Sequence, residues 1–195
     1  KVVNPFIVTG KIEPEYFCDR VTESARLIKS VTNGNNLVII SPRRMGKTGL
    51  IQFCYDKSEI ADEYYTFFID ILHTSSLREF TYLLGREIYE TLLPRSRKMA
   101  DLFIQTIKSI SGKFGFDPIT GMPTFNVELG DIDRPEYTLD EIFQYLGHAD
   151  KPCIVAIDEF QQIAKYPEKN IEAQLRTHIQ KLRNCNFIFA GSERH

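Results

Sequence analysis

Residues 37–50 restrict the backbone more than any other stretch of this chain. An apolar, β-prone run, Leu37 to Ile40, leads into a short loop that ends in Gly46-Lys47-Thr48. The residues that follow can start a helix. A buried strand that turns at once into a helix is typical of α/β folds with parallel strands. The segment therefore predicts an α/β chain with a glycine-bearing loop between a strand and a helix.

The loop carries residue types that bind phosphate. Gly46 lets the backbone approach a ligand, Lys47 can reach the β- and γ-phosphates, and the Thr48 hydroxyl can ligate Mg²⁺. Backbone N–H groups in such a loop and at the following helix N-terminus bind phosphate oxygens. The layout is that of a P-loop, G-x-x-x-x-G-K-[ST], except that Ser41 stands at the first glycine. Serine is small and tolerates turns. The predicted nucleotide contacts are Ser41, Pro42, Arg43, Arg44, Met45, Gly46, Lys47, Thr48 and Gly49.

A second motif lies at residues 153–159, where five mostly apolar residues run into Asp158-Glu159. The lack of polar alternation predicts a parallel strand buried on both faces. Its carboxyl end would lie where open α/β sheets bind ligands. This pattern is typical of a Walker B motif, in which Asp158 holds Mg²⁺ and Glu159 orients and deprotonates water. Alone, it also fits a core strand ending in a solvated acidic turn. Together with the P-loop it predicts a nucleoside-triphosphate-binding protein.

The acidic pair favours one reaction class. A carboxylate beside the Walker B aspartate favours hydrolysis by water over transfer to an acceptor hydroxyl. No Asn-Lys-x-Asp segment for guanine recognition is present, so ATP is the favoured nucleotide. The last predicted strand, 186–191, is followed by Ser192, which either senses the γ-phosphate or is an exposed turn serine. The predicted catalytic residues are Glu159, Lys47 and Ser192, and the predicted Mg²⁺ ligands are Thr48 and Asp158.

Length, composition and charge limit the classes of protein to which this chain can belong. The 195 residues suffice for one α/β domain, and 43% hydrophobic with 26% charged residues is ordinary for a globular chain. No apolar stretch approaches a membrane span, and no signal peptide leads the chain. A net charge of −2 argues against a general nucleic-acid binder. The four cysteines lack zinc spacing, and Cys54 and Cys153 sit among apolar residues as small core side chains. We therefore predict a reducing, cytoplasmic setting.

Periodicity and turn residues predict the order of elements. Strands are expected at about 37–41, 64–71, 153–158 and 186–191. Helices are expected at about 21–32, 48–57, 76–93, 96–112, 138–147 and 169–183. Proline and glycine between 115 and 125 predict a small β-hairpin. Strands alternating with helices predict a three-layer sandwich with a mostly parallel sheet.

The chain resembles the archaeal-type ATPase family, which is related to the AAA+ and STAND ATPases, in three segments: Pro42-Arg43-Arg44-Met45-Gly46-Lys47-Thr48, Ile157-Asp158-Glu159-Phe160-Gln161 and Ala190-Gly191-Ser192. The lead-in Phe17-Cys18-Asp19-Arg20 with Glu23 is similar to that family's segment before the P-loop. Ser41 and Gly49 depart from the family pattern. The resemblance implies a P-loop ATPase core at 1–195 in a fragment that lacks a C-terminal helical lid and a winged-helix domain.

The paired motifs and the resemblance leave three functions open. The first is an Mg²⁺-dependent ATPase coupled to conformational change, with ATP and ADP as ligands. The second is a STAND-like switch with little turnover that acts on a second copy or another protein. The third is an ATPase that reaches DNA only through regions absent here. No membrane partner is expected.

Several residues keep two interpretations. Arg43 and Arg44 either contact phosphate or a partner, or form a solvated loop tip. Asp70 either lines the site or caps a turn. Near the N-terminus, Ile7, Val8 and Phe17 either flank an adenine or pack internally. The four histidines form no recognisable ligand set and are expected at surface or turn positions.

Overall fold

The computed structural model describes residues 11–12, 20–41 and 46–192. Its strands are β1 (Lys11–Ile12), β2 (Leu37–Ser41), β3 (Tyr65–Asp70), β4 (Gly115–Phe116), β5 (Pro123–Thr124), β6 (Cys153–Asp158) and β7 (Cys185–Ser192). Its α-helices are α1 (Arg20–Thr32), α2 (Lys47–Tyr55), α3 (Ser58–Ala61), α4 (Leu77–Leu92), α5 (Arg97–Thr106), α6 (Pro135–Gly147) and α7 (Ile171–Lys181). Short 3₁₀ helices cover Lys108–Lys113, Leu129–Asp131 and Phe160–Lys165.

The main sheet is parallel and has the order β1-β2-β7-β6-β3. The last strand, β7, therefore lies between the strand of the predicted P-loop and the strand of the predicted Walker B motif. Ser192, which we expected just after this strand, is its last residue. Because all the strands are parallel, their carboxyl ends meet at one edge of the sheet.

Side chains of β6 explain why its sequence shows no polar alternation. All six of its residues are buried. Cys153, Val155 and Ile157 belong to the core cluster under α4 to α7. Ile154 and Ala156 belong to the cluster under α1, α2 and α3. Helices therefore cover the sheet on both faces, which confirms the three-layer sandwich predicted from the sequence.

The helix predicted over 96–112 is shorter than the pattern suggested. The α-helix α5 ends at Thr106 and a 3₁₀ helix follows. The buried carboxylate of Glu141 on α6 accepts hydrogen bonds from the backbone N–H groups of Lys108 and Ser109, at 2.8 and 3.1 Å. These N–H groups therefore donate to Glu141 and do not continue the α-helical hydrogen bonds of α5. The prediction could not foresee a break caused by a residue more than thirty positions away.

Two other boundaries differ by local chemistry. Helix α6 begins at Pro135 instead of about residue 138, because a proline is well tolerated at the first helical position. The predicted hairpin at 115–125 is present as the β4–β5 pair. It is anchored by Phe114 and Phe125, which pack on each other and on Tyr89 of α4 at centroid distances of 5.2–6.0 Å.

The cysteines of the described residues lie in the core, as predicted for Cys54 and Cys153. Cys54, Cys153 and Cys185 are buried free thiols, and burial raises the pKa values of Cys54 and Cys153 to about 12. Such thiols behave as small core side chains. None of the helices in the described ranges has the length and apolar character needed to cross a bilayer.

Candidate functional site

A cavity of about 320 Å³ opens where the N-terminus of α2 faces the carboxyl ends of β3 and β6. Its walls are Gly46, Lys47, Thr48, Gly49, Asp70, Leu72, Asp158 and Glu159. This volume is at the lower end of the range of about 300–1,000 Å³ seen for ligand pockets. It suits a polyphosphate group better than a whole nucleotide.

The N-terminus of α2 gives the cavity an anion-binding wall. Gly46 precedes the helix with a φ of 78°, a left-handed conformation that favours glycine over residues with a Cβ. Its carbonyl accepts the first helical hydrogen bond, from Leu50 N at 2.9 Å. The first turn of α2 contains no acidic residue. Its free N–H groups and the positive end of the helix dipole therefore face the cavity without competition from a capping carboxylate.

Lys47 is almost completely buried, with 2% of its surface exposed. Its Nζ donates a hydrogen bond to Ser192 Oγ at 3.0 Å. It also lies 3.4 Å from Asp158 Oδ1 and 3.7 Å from Glu159 Oε1. The tertiary structure thus brings together Lys47, Asp158, Glu159 and Ser192, which the sequence singled out from three separate segments. A buried ammonium group needs such partners to offset its lost hydration.

Asp158 ends β6, and besides its contact with Lys47 its carboxylate accepts hydrogen bonds from two neighbours. Thr48 Oγ1 donates to Asp158 Oδ2 at 3.4 Å, and Glu159 N donates to Oδ1 at 2.9 Å. Burial raises the pKa of Asp158 above its usual value, while the Lys47 charge and the Glu159 N–H group oppose that shift. The negative charges of Glu159 and Asp70 raise the pKa of Asp158 further.

The oxygen atoms of Thr48 and Asp158 fit a hard divalent cation. Mg²⁺ takes oxygen ligands, keeps several waters and uses one or two carboxylates together with substrate phosphates. A hydroxyl and a carboxylate side by side on a phosphate-sized cavity match that donor set. No group of three or more His, Cys, Asp or Glu suited to a metal occurs within the described ranges. A protein-only cage is not what this ion requires, so the fit rests on this pair.

Glu159 has a backbone conformation that is unusual for its residue type. Its φ of 56° and ψ of 40° lie in the left-handed region, which costs about 1–3 kcal/mol for a residue other than glycine. The turn directs its largely buried carboxylate back towards β7. There Ser192 Oγ lies 3.3 and 3.5 Å from the two carboxylate oxygens, and Gln161 Nε2 donates to Oε2 at 2.6 Å. Such strain is typical of functional sites.

Other predicted residues have mixed outcomes. Asp70 satisfies both of its interpretations, because it lines the cavity and its Oδ1 accepts a hydrogen bond from Leu72 N at 2.9 Å. Ser41 ends β2, and its Cα pairs with that of Ser192. Pro42, Arg43, Arg44 and Met45 lie outside the described residues, as do Ile7, Val8 and Phe17.

Sequence reasoning assigned no role to Gln161, which contacts Glu159 directly. The glutamine was visible in the Asp158–Gln161 segment, but its spacing did not indicate which way its side chain points. Leu72 was also missed, and no sequence signal marks it. Its place on the cavity wall follows from the turn after β3.

Three solved structures are similar to this chain in fold. The Walker-type ATPase PABY2304 of Pyrococcus abyssi is 21% identical, with a TM-score of 0.47 over 96% of this chain and 49% of that protein. The ORC1 protein of Aeropyrum pernix, solved in complex with DNA, is 12% identical, with a TM-score of 0.53 over 90% of this chain and 39% of that protein. The ORC2 protein of the same organism, in ADPNP–ADP complexes, is 13% identical, with a TM-score of 0.51 over 97% and 45%.

The comparisons define the fold class of this chain. The two Aeropyrum pernix proteins support the α/β fold of this chain, in which helices flank a parallel sheet and a small antiparallel hairpin is added. This chain spans less than half the length of each of the three proteins. No protein-family profile and no curated protein matches the sequence.

Proposed function

We propose that this chain is the ATP-binding core of a larger P-loop ATPase and that it hydrolyses Mg²⁺-bound ATP. The observation that carries the proposal is the convergence on Lys47 Nζ. Ser192, Asp158 and Glu159 lie 3.0–3.7 Å from that atom at the mouth of a helix N-terminus. A buried cation, two carboxylates and free backbone N–H groups around one phosphate-sized cavity are the parts that phosphoryl transfer to water requires.

Substrate binding would use the α2 N-terminus and Lys47. The N–H groups of the first turn donate to phosphate oxygens, and the Lys47 ammonium neutralises charge on the terminal phosphates. Thr48 and Asp158 would hold Mg²⁺, which supplies charge neutralisation on the phosphate oxygens when bound. The dipole of α2 adds to the same attraction.

Glu159 would act as the residue that orients and deprotonates the attacking water. The water oxygen bonds to the γ-phosphorus, the bond from that phosphorus to the bridging oxygen breaks, and the water proton passes to the Glu159 carboxylate. The Ser192 hydroxyl, which lies between Lys47 and Glu159, would hold the γ-phosphate in line with that water. ADP and inorganic phosphate are the products.

Phosphate binding would also change the contacts of Lys47. In this structure the ammonium group contacts Asp158 and Glu159, and a bound polyphosphate would compete for it. Nucleotide arrival would therefore release Glu159 from Lys47. This exchange of partners is a physical route from nucleotide state to conformation. It also favours the second function, a nucleotide-controlled switch with little turnover.

The decisive experiment replaces Glu159 with Gln and measures phosphate release and Mg²⁺-ATP binding. We expect turnover to fall by about 10²–10⁴, the usual contribution of a general base, with ATP affinity retained. Lys47→Ala should lose both binding and turnover. Glu172→Gln, at an exposed position in the first turn of α7, is the matched control and should behave as wild type. Unchanged hydrolysis in Glu159→Gln would remove Glu159 from the proposed role.

The alternatives have different readouts. Binding of ATP with negligible hydrolysis, together with an oligomer size that depends on nucleotide, would favour the switch. Salt-dependent DNA binding by a longer protein, but not by residues 1–195, would favour the DNA-linked ATPase. Calorimetry with ATP, ADP and GTP tests the predicted preference for adenine. A failure of all three nucleotides to bind would overturn the central proposal.

A further inference from the structure

The Gln161 side chain makes a contact that the proposed reaction does not by itself explain. Its Nε2 donates to Glu159 Oε2 at 2.6 Å, which is shorter than the distances from that carboxylate to Ser192 and Lys47. An ionised carboxylate only accepts hydrogen bonds, so the NH₂ end of the amide must face Glu159. The orientation of the Gln161 amide is therefore fixed by the chemistry of its partner.

The backbone on either side of Gln161 is held in place. The Phe160 ring packs on Phe189 of β7, with centroids 4.5 Å apart. The next side chain, Gln162, donates from Nε2 to the backbone carbonyl of Thr74 at 3.0 Å. The 3₁₀ helix Phe160–Lys165 is thus tied to β7 on one side and to the turn after β3 on the other. Gln161 projects its amide from a supported backbone.

Gly191 provides the space for the other end of the amide. A Cβ at this position would lie 2.9 Å from Gln161 Oε1, closer than real Cβ contacts. That amide oxygen is buried and accepts no hydrogen bond within the described part of the chain. An unsatisfied buried acceptor costs about 1–3 kcal/mol. The amide keeps this position although only its NH₂ end is satisfied.

We propose that Gln161 is the positioning residue for Glu159. Gly191 leaves the space in which the Gln161 amide lies when it contacts Glu159. The proposal rests on the proposed function, since it assigns a role at the same site. When phosphate competes for Lys47, the Glu159 carboxylate keeps its hydrogen bond from Gln161. The carboxylate therefore stays directed at the position of the attacking water.

The test compares Gln161→Leu with Gln174→Leu, a control at an exposed position of α7. Leucine removes the amide at either position, but only the first substitution breaks the contact with Glu159. We expect Gln161→Leu to lower kcat by about 10- to 100-fold, as small misplacements of catalytic groups do, with the dissociation constant for Mg²⁺-ATP within about twofold of wild type. Gln174→Leu should stay close to the wild-type kcat. A wild-type kcat in Gln161→Leu, or an equal loss in both variants, would overturn the proposal.

A double-mutant cycle tests the part of Gly191. Gly191→Ala alone should lower kcat, because its methyl group displaces the Gln161 amide. Gly191→Ala combined with Gln161→Ala should be no slower than Gln161→Ala alone, because the shorter side chain leaves room for the methyl group. Additive losses would mean that Gly191 acts independently of Gln161.

A third measurement does not depend on turnover and separates this inference from the proposed function. Side-chain amide resonances of glutamine are followed by NMR in wild type and in Glu159→Ala. We expect the Gln161 NH₂ signals to shift when Glu159 is removed, while those of Gln162 stay in place. If wild type fails to hydrolyse ATP, the ATPase proposal fails, and this experiment still decides the contact. Unmoved Gln161 signals would overturn it.

Discussion

Lys47 and its partners show what single residues contribute to this site. An ammonium group with 2% exposure is held by Ser192, Asp158 and Glu159, and burial raises the pKa of Asp158. Buried charges of this kind add little net stability compared with apolar side chains of similar size. Their presence therefore agrees with the ligand chemistry that we propose for this site.

His178 departs from the expectation that the histidines are simple surface or turn residues. It is half-buried, stacks on Phe143 with centroids 5.1 Å apart, and places Nδ1 3.4 Å from Asp140 Oδ1. Burial lowers the pKa of His178 below 6.5, and the charge of Asp140 opposes that shift in part. A lowered pKa means that the folded state binds a proton less readily than the unfolded chain.

The pH dependence of stability should therefore carry a contribution from His178. This contribution is complete above pH 6.5 and is lost as the pH falls from 6.5 through the lowered pKa. We expect His178→Phe, which keeps a ring against Phe143, to flatten the fall in unfolding free energy between pH 7.5 and 5. The change is at most about 1.4 kcal/mol per pH unit, the slope for one proton. Urea unfolding at several pH values measures it.

The control for this prediction is His148, which is exposed at the end of α6. His148→Gln should leave the pH dependence of stability close to that of wild type. An unchanged pH dependence in His178→Phe would mean that burial of this imidazole has no consequence for folding.

The position of a helix depends on the hydrogen bonds that cap its ends as well as on its hydrophobic periodicity. Helix α4 begins after Ser76, whose Oγ accepts a hydrogen bond from Glu79 N at 3.2 Å. The Glu79 carboxylate in turn binds the Ser75 N–H and hydroxyl groups, and these hydrogen bonds lower the pKa of Glu79. The helix expected at about 76–93 thus begins at a serine that is followed three residues later by a glutamate, a pattern typical of helix starts.

Removal of the Ser76 cap should destabilise the protein measurably. We expect Ser76→Ala to lower the unfolding free energy by about 1 kcal/mol, because a helix N–H group loses its acceptor. Ser58→Ala is the control, since Ser58 is exposed, and it should change stability by less than about 0.5 kcal/mol. Denaturant unfolding compares the two variants. Equal losses would show that the Ser76 contact contributes nothing specific.

Ligand binding at one site raises the free energy of unfolding of the whole molecule. A ligand that binds only the folded state stabilises it by about 2.7 kcal/mol at 100 times its dissociation constant. For a chain of 195 residues, 1 kcal/mol corresponds to about 2–4 °C in melting temperature. We therefore expect saturating Mg²⁺-ATP to raise the melting temperature by about 5–10 °C.

This shift should depend on the cavity at the carboxyl edge of the sheet. Lys47→Ala should abolish the ATP-induced shift, whereas Lys29→Ala, at an exposed position in the last turn of α1, should retain it. Differential scanning calorimetry with and without nucleotide measures both. A full shift in Lys47→Ala would place the binding site elsewhere in the chain.

Local signals in the sequence determined most of the order of elements, the buried character of β6 and the residues of the two motifs, but they did not predict β1 and α3. These features depend on periodicity, on turn residues and on short-range chemistry. All three signals come from residues that lie close together in the sequence. The end of α5 was not predictable in this way, because it depends on the distant Glu141 carboxylate.

Tertiary structure alone decided which residues meet. The sequence assigned Lys47, Asp158, Glu159 and Ser192 to one predicted site and left two interpretations for Ser192. The insertion of β7 between β2 and β6 brings Ser192 within 3.0 Å of Lys47. The contact of Gln161 with Glu159, and the space left for it by Gly191, likewise have no sequence signal. Side-chain direction after a strand depends on one backbone turn, and strand order depends on packing across the whole sheet. Neither quantity is encoded in the spacing of residues along the chain.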